Sequence, residues 1–277
     1  MDGMLDNKLF KKIVLYIVLI SIALFLTFPM IWMLSTSFKG PEDLFSYPPQ
    51  WIPENPTLAN YKAVFAKVPI FRYLLNTVLI TTIGLTLNLV LSALAAYPLG
   101  RMKFWGSKVI FFMIIAPMLI PLQGKMIVNY LTLKKLHLVN THLGVVLPSA
   151  VSIFGVFLLK QSYEAIPMEI EEAARIDGCG EFRLWWQIML PSVKPSLAAV
   201  SIFSFVAYWN MFMWPLIVLK SKNLYPLTVG LTALESTFEN NFRYISAGAM
   251  ISIVPILIFF YFTQRYFIEG YKGAVKG

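Results

Sequence analysis

The chain has 277 residues, of which 58% are hydrophobic and only 13% charged, with a net charge of +9 from 23 Lys and Arg against 14 Asp and Glu. A soluble domain has roughly a quarter of its residues charged, so this composition cannot cover a soluble core; it excludes a cytosolic enzyme, a disulfide scaffold and a disordered chain, and makes lipid the natural solvent. The cations lie in short strips between apolar runs. That arrangement serves membrane orientation and headgroup contact rather than nucleic acid, and the single Cys179 excludes a disulfide framework or a Cys-cluster metal site.

Six stretches lack Asp, Glu, Lys and Arg, and each predicts a membrane helix. Residues 1–12 read as a cytoplasmic tail. Ile13–Phe38 is longer than a signal-peptide core and has no small-x-small cleavage site, so it reads as a retained, peripheral first helix. Lys39–Arg72 is rich in proline and predicts an outer loop of turns and short extended pieces. Tyr73–Gly100 is the second helix, and the acid-free strip Arg101, Lys103, Lys108 after it marks the inner side. Val109–Gly124, with Pro117 and Pro121, opens a third helix read over about 109–131. Lys125–His142 is the outer connection, with Lys125, Lys134 and Lys135 counted among its cations. Leu143–Leu159, Pro195–Leu219 and Tyr244–Gln264 supply the fourth to sixth helices, the last read to about residue 267. The expected fold is all-α, with six transmembrane helices and both termini cytoplasmic.

The inner segment 160–194 has a helical pattern of its own. Pro167 suits a first helical turn, Glu169, Glu171 and Glu172 suit the positive end of the dipole, and Gly178 suits a left-handed stop. Ile170, Ala173, Ala174 and Ile176 form its apolar or small face. A second short helix is expected from Glu181 to about Met189, ended by Pro191. The result is an amphipathic knob that offers Ala and aromatic side chains for docking.

Glu172-Ala173-Ala174, then Gly178, then Ile188-Met189-Leu190-Pro191 resembles the EAA signature of the permease subunits of binding-protein-dependent ABC importers. Asn140-Thr141 with Gly144 and Leu147-Pro148, Trp209-Asn210, Trp214-Pro215-Leu216, Leu224-Tyr225-Pro226-Leu227-Thr228 and the Gln264-Arg265-Tyr266-Phe267 to Gly-Ala-Val-Lys-Gly end are similar to carbohydrate-type, maltose-like permeases of the smaller-subunit type. Met211 departs from the more usual acidic residue there. The resemblance implies a type I importer permease fold in a prokaryotic plasma membrane. It implies a second permease subunit, a dimer of ATPase subunits and an external solute-binding protein as partners, and a sugar as cargo. It also implies that Glu172, Ala173, Ala174, Asp177, Gly178, Ile188, Leu190 and Pro191 form the coupling loop. The chain has no Gly-x-x-x-x-Gly-Lys-Ser/Thr loop to cradle ATP phosphates, so it is expected to be non-catalytic and to bind no cofactor, with ATP and Mg used by the partner ATPase.

Individual roles stay open at this level. Glu172 either bonds within the knob or contacts the ATPase. Asp177 either caps the second helix or meets a basic partner residue, and Arg175 is a candidate for headgroup contact. For the pathway, Tyr208, Trp209, Asn210 and Asn129 offer the aromatic faces and hydrogen-bonding groups that a sugar needs. Asn76, Asn88 and Gln123 are further candidates, with helix-to-helix bonding as the competing role. Ser92, Ala96, Gly248 and Ser252 are spaced for helix packing. His137 and His142 lack a second ligand at a metal-binding spacing. Rival readings are an importer for a non-sugar solute and an ion-coupled carrier; the absence of intramembrane acids and bases weighs against proton coupling. An anion site would recruit an intramembrane cation or a helix N-terminus.

Overall fold

The computed structural model describes residues 2–43, 47–238 and 241–274. In chain order the α-helices are α1 Asp2–Ser37, α2 Ala59–Lys67, α3 Ile70–Arg101, α4 Ser107–Ile115, α5 Leu122–Lys135, α6 His142–Val146, α7 Ile153–Glu164, α8 Met168–Ile176, α9 Glu181–Leu184, α10 Leu190–Ser192, α11 Lys194–Trp209, α12 Met213–Val218, α13 Leu227–Gly230, α14 Thr232–Thr237 and α15 Phe242–Ala274. Two compact units result. The first comprises Met1–Val68 and Leu231–Ile253, and the second Pro69–Gly230 and Val254–Gly277.

By length and composition, Leu9–Ser37, Ile70–Arg101 and Phe242–Gln264 can each cross a membrane alone, and up to six spans result if each bent helix pair is one span. The straight spans match the sequence reading to within a few residues. The helix of α1, however, runs back through the charged tail to Asp2, and α15 runs past 267 to Ala274. The final residues of the Gly-Ala-Val-Lys-Gly end lie outside the described residues.

The other spans are not the single rods expected. Ser107–Leu119 and Gln123–Lys135 meet at 110°. Pro117 and Pro121 flank the break, and neither has a backbone N–H to continue a helix. His142–Ser149 and Ile153–Glu164 meet at 45° beside Pro148. In the fifth stretch, α11 stops at Trp209 and α12 starts at Met213. The Met211 carbonyl left over at that break accepts a bond from Thr228 Oγ1 at 2.7 Å. Such breaks are tolerated at membrane depth only where protein or a polar cavity satisfies the backbone.

In the first unit, segment 39–72 is not all turns and extended chain. Residues 58–68 contain no proline, and α2 forms there. Its Asn60 side chain donates to the carbonyls of Ser37 and Lys39, both at 2.9 Å. Tyr61 OH lies 2.8 Å from Ser37 Oγ. Trp51 packs edge-on against Phe28 and Trp32, and the Lys39 ammonium sits 4.3 Å from the Trp32 ring. Gly248 takes the small-residue role expected of it: an added Cβ there would strike the side chains of Leu231 and Leu234.

The second unit is built on α3. Helix α7 packs along it through Ala93, Ala96, Tyr97, Val156 and Leu159, all buried. Ser92 joins them, its Oγ accepting from Ser152 N at 3.2 Å. Ser152 also caps α7 by accepting from Gly155 N at 2.9 Å, and Thr141 caps α6 through Gly144 N at 3.0 Å. Each such cap stabilises its helix by about 1 kcal/mol. Gly84 lets α11 approach, because a Cβ there would lie 2.5 Å from ring carbons of Tyr208.

Candidate coupling surface and translocation cavity

Helix α8 ends as its sequence predicts. Gly178 has φ +79, Gly178 N donates to Arg175 O, and Cys179 N donates to Ala174 O, both at 3.0 Å. This is the paired-bond Schellman stop, which needs a left-handed residue after the cap. The second arm departs from expectation. It does not end at Pro191 but runs through a π-helical stretch, Trp185–Met189, into α10. The wider turn shifts the bonding register ahead of a residue that lacks an N–H. Ser192 Oγ then donates to Ile188 O at 2.7 Å.

Of the small and apolar face of α8 read for docking, Ala174 alone turns inward. Glu171 and Ala174 are buried, whereas Ile170, Ala173 and Ile176 are exposed. The buried charge on Glu171 is answered by Arg101, the last residue of α3, whose Nε bonds to Oε1 of Glu171. The two side chains are only 7% and 1% exposed. Arg101 Nη1 donates further to the carbonyls of Ile166 at 2.9 Å and Tyr163 at 3.3 Å. Arg175, a headgroup candidate in the sequence, instead lies 2.9 Å from Glu181 and 3.8 Å from Glu171. Tyr97 OH donates to Glu181 at 3.4 Å, and Trp185 Nε1 donates to Tyr163 OH at 3.2 Å. The knob is thus fixed to the ends of α3 and α7 by ion pairs, hydrogen bonds and the buried Leu184, Trp185 and Met189.

The knob leaves large apolar side chains exposed among charged ones. Ile176 is 86% exposed, Phe182 73% and Trp186 57%. Glu172, Ala173, Asp177, Gly178 and Pro191 are exposed, Ile188 and Leu190 half-buried, and Ala174 buried. Among the described residues, Glu172 and Asp177 enter no ion pair. Asp177 does not cap the second arm; Gly180 holds that position, without a side-chain bond. Sequence reasoning missed Arg101, Glu171, Tyr97 and Tyr163. Arg101 was counted as an orientation cation, but a lone Glu on the Glu171–Ala174 face of α8 was the available signal.

A cavity of about 730 Å³ lies in the second unit between α5, α7 and α11. Tyr208 and Asn129 line it, as do Met211 and Trp214. Trp209 and Asn210 do not. Trp209 is buried and stacks on Phe205 with ring centroids 5.4 Å apart, while Asn210 caps the end of α11 and is exposed. The helical period explains the split: adjacent residues point about 100° apart. Tyr208 OH donates to Ser149 O at 2.7 Å. Asn88 also lines the cavity, donating to Ser149 O and accepting from Ser204 Oγ, both at 2.9 Å, so it bridges three segments. Asn76 is spent on the carbonyls of Asn223 and Tyr225, each at 2.9 Å. Lys125, read within the third helix and counted among the cations of the outer connection, lies on α5, lines the cavity and donates to Pro117 O. His142 sits 3.1 Å from Leu224 O, within the loop packing.

Comparison with known proteins gives this architecture a family. The chain is 36% identical over 260 residues to the arabinooligosaccharides transport system permease protein AraQ of Halalkalibacterium halodurans, covering 92% of this chain and 93% of that one. It is 33% identical over 270 residues to AraQ of Bacillus subtilis, covering 96% of each. A solved bacterial ABC transporter involved in import of the acidic polysaccharide alginate contains a chain of the same fold, with a TM-score of 0.82 and 24% identity over 92% of this chain and 95% of that one. Residues 88–272 match the family of binding-protein-dependent transport system inner membrane components. The chain is therefore a multi-pass membrane protein of the carbohydrate ABC permease type, a member of the family of inner membrane components of binding-protein-dependent transport systems.

Proposed function

We propose that the chain forms half of the pathway by which an ATP-driven, binding-protein-dependent importer carries a sugar or oligosaccharide, and that segment 160–194 receives the work of a separate ATPase. In this reading it crosses a prokaryotic inner membrane six times with both termini cytoplasmic. Residues 1–12 form a tail, residues 13–277 the permease domain, and the knob projects from it into the cytoplasm. A second permease subunit completes the conduit. A pair of ATPase subunits uses ATP and Mg, an external binding protein delivers the cargo, and this chain itself binds no cofactor.

The observation that carries the reading is the contrast within the knob. Its inner face is tied to α3 and α7 by buried charge and aromatic contacts, while Ile176, Phe182 and Trp186 are exposed beside Glu172 and Asp177. A rigid mount under an apolar surface suits force transfer between bodies that move as units. The carbohydrate assignment rests on the relatives, whose names refer to arabinooligosaccharides. A photo-crosslinking amino acid at Ile176, activated in native membranes, tests the docking role. The expected product joins this chain to a nucleotide-binding subunit. Cross-links to lipid alone, with none to an ATPase, overturn the reading.

A further inference from the structure

The charges of the second unit are segregated. Between Pro69 and Gly230 every Asp and Glu falls within 164–181, on or beside the knob. At the far end of α3 from the knob lie Arg72, Lys220 and Lys222, with Lys134 and Lys135 ending α5, and residues 69–163 and 182–230 contain no Asp or Glu. Hydrogen bonds hold these segments together: Arg72 Nε to Asn223 O at 3.1 Å, and Lys220 N to Asn140 Oδ1 at 2.8 Å. On the proposed orientation this end faces outward, where the positive-inside tendency disfavours clustered cations.

Lys125 lies deeper. It is half-buried and is the charged residue among the described residues that line the cavity, whose wall is otherwise mainly apolar. No described ion pair neutralises it. Its ammonium has three donors, and the Pro117 carbonyl accepts from one. A cation in an apolar cavity is costly unless a partner anion completes it. One cargo accounts for both features. Cations at that end of α3 raise the local concentration of an anion, and Lys125 pairs with it in the cavity.

We propose that the cargo is an oligosaccharide bearing carboxylates, and that Lys125 is the residue of this chain that selects for them. The inference rests on the sugar-importer reading and narrows it from any sugar to sugar acids. The test uses host cells with the complete importer and labelled uronate trisaccharides (galacturonate, mannuronate and glucuronate), each paired with its neutral methyl ester. Deleting this chain is expected to abolish uptake of at least one uronate and to spare its ester. Lys125→Gln, which keeps a donor for Pro117 O, is expected to lower that uptake by about tenfold or more, the usual loss when a charge-assisted bond goes. Lys125→Arg is expected to retain most of it. If deletion removes uptake of neutral oligosaccharides only, the acid assignment falls and the importer reading stands. If deletion affects no oligosaccharide, acidic or neutral, the sugar-importer reading falls as well. Wild-type uronate uptake by Lys125→Gln overturns the role of Lys125. So does failure of that variant to co-purify with the partner subunits, which makes Lys125 a brace for the bend at Pro117.

Discussion

Neutralising one side of the Arg101–Glu171 pair should cost far more than removing both sides. Each side chain is almost wholly buried, and breaking a buried pair by removing one partner costs about 3–5 kcal/mol. Glu171→Leu leaves Arg101 with the carbonyls of Tyr163 and Ile166, which places this variant near the lower figure. Arg101→Met leaves Glu171 with only Arg175 at 3.8 Å, a partner already 2.9 Å from Glu181, and removes a donor from the carbonyls of Tyr163 and Ile166. It should lie near the upper figure. For a chain of this size each kcal/mol shifts the unfolding midpoint by about 2–4 °C, so Arg101→Met, at about 5 kcal/mol, should lower the midpoint of the complex in nanodiscs by roughly 10–20 °C. The double variant Arg101→Met/Glu171→Leu leaves no unpaired charge and should recover at least about 1 kcal/mol relative to the sum of the single effects. If the two single effects simply add, the pair is not the buried clamp described here. A second readout separates fold from coupling: substrate-stimulated ATP hydrolysis should fall in the single variants more steeply than the amount of assembled complex does.

Gly178→Val should abolish substrate-stimulated ATP hydrolysis while the membrane helices remain folded. The space around Gly178 is open and the penalty is conformational, about 1–2 kcal/mol at φ +79 and more for a β-branched side chain; Gly178→Asn, which tolerates that conformation, should be milder, and normal coupling in the Val variant counts against the docking role. Gly84→Ala should destabilise the second unit by about 1–3 kcal/mol by driving a methyl into the Tyr208 ring. Combining it with Tyr208→Leu should restore part of the loss in thermal unfolding; a harmless Gly84→Ala refutes the close approach of α11. Burial lowers the pKa of Lys39 from 10.5, with Asp43 opposing the shift. Below 10.5 and above the folded value the unfolded chain binds the extra proton, so stability should rise with pH across that window. Lys39→Met should flatten the slope in unfolding curves recorded between pH 8 and 10.5, and an unchanged slope assigns it elsewhere.

The sequence by itself determined what depends on composition and local periodicity. Charge-free runs long enough to span lipid located the straight helices of Leu9–Ser37, Ile70–Arg101 and Phe242–Gln264. The Gly178 stop was placed to the residue and the Pro167 start to within one, Pro167 being the N-cap ahead of Met168, because helix ends are set by backbone groups within one turn. Of the residues read for the pathway from their chemistry, Tyr208 and Asn129 line the cavity. Trp209 and Asn210 do not, because the direction of a side chain around a helix depends on what packs against it. Tertiary structure alone decided the rest. Pro117 and Pro121 lie in a run read as one helix; its break, the 110° angle and the delivery of Lys125 into a cavity follow from how α5 packs. Arg101 and Glu171 are 70 residues apart. Each alone looks like a solvated charge, and only folding removes both from water and makes them a pair.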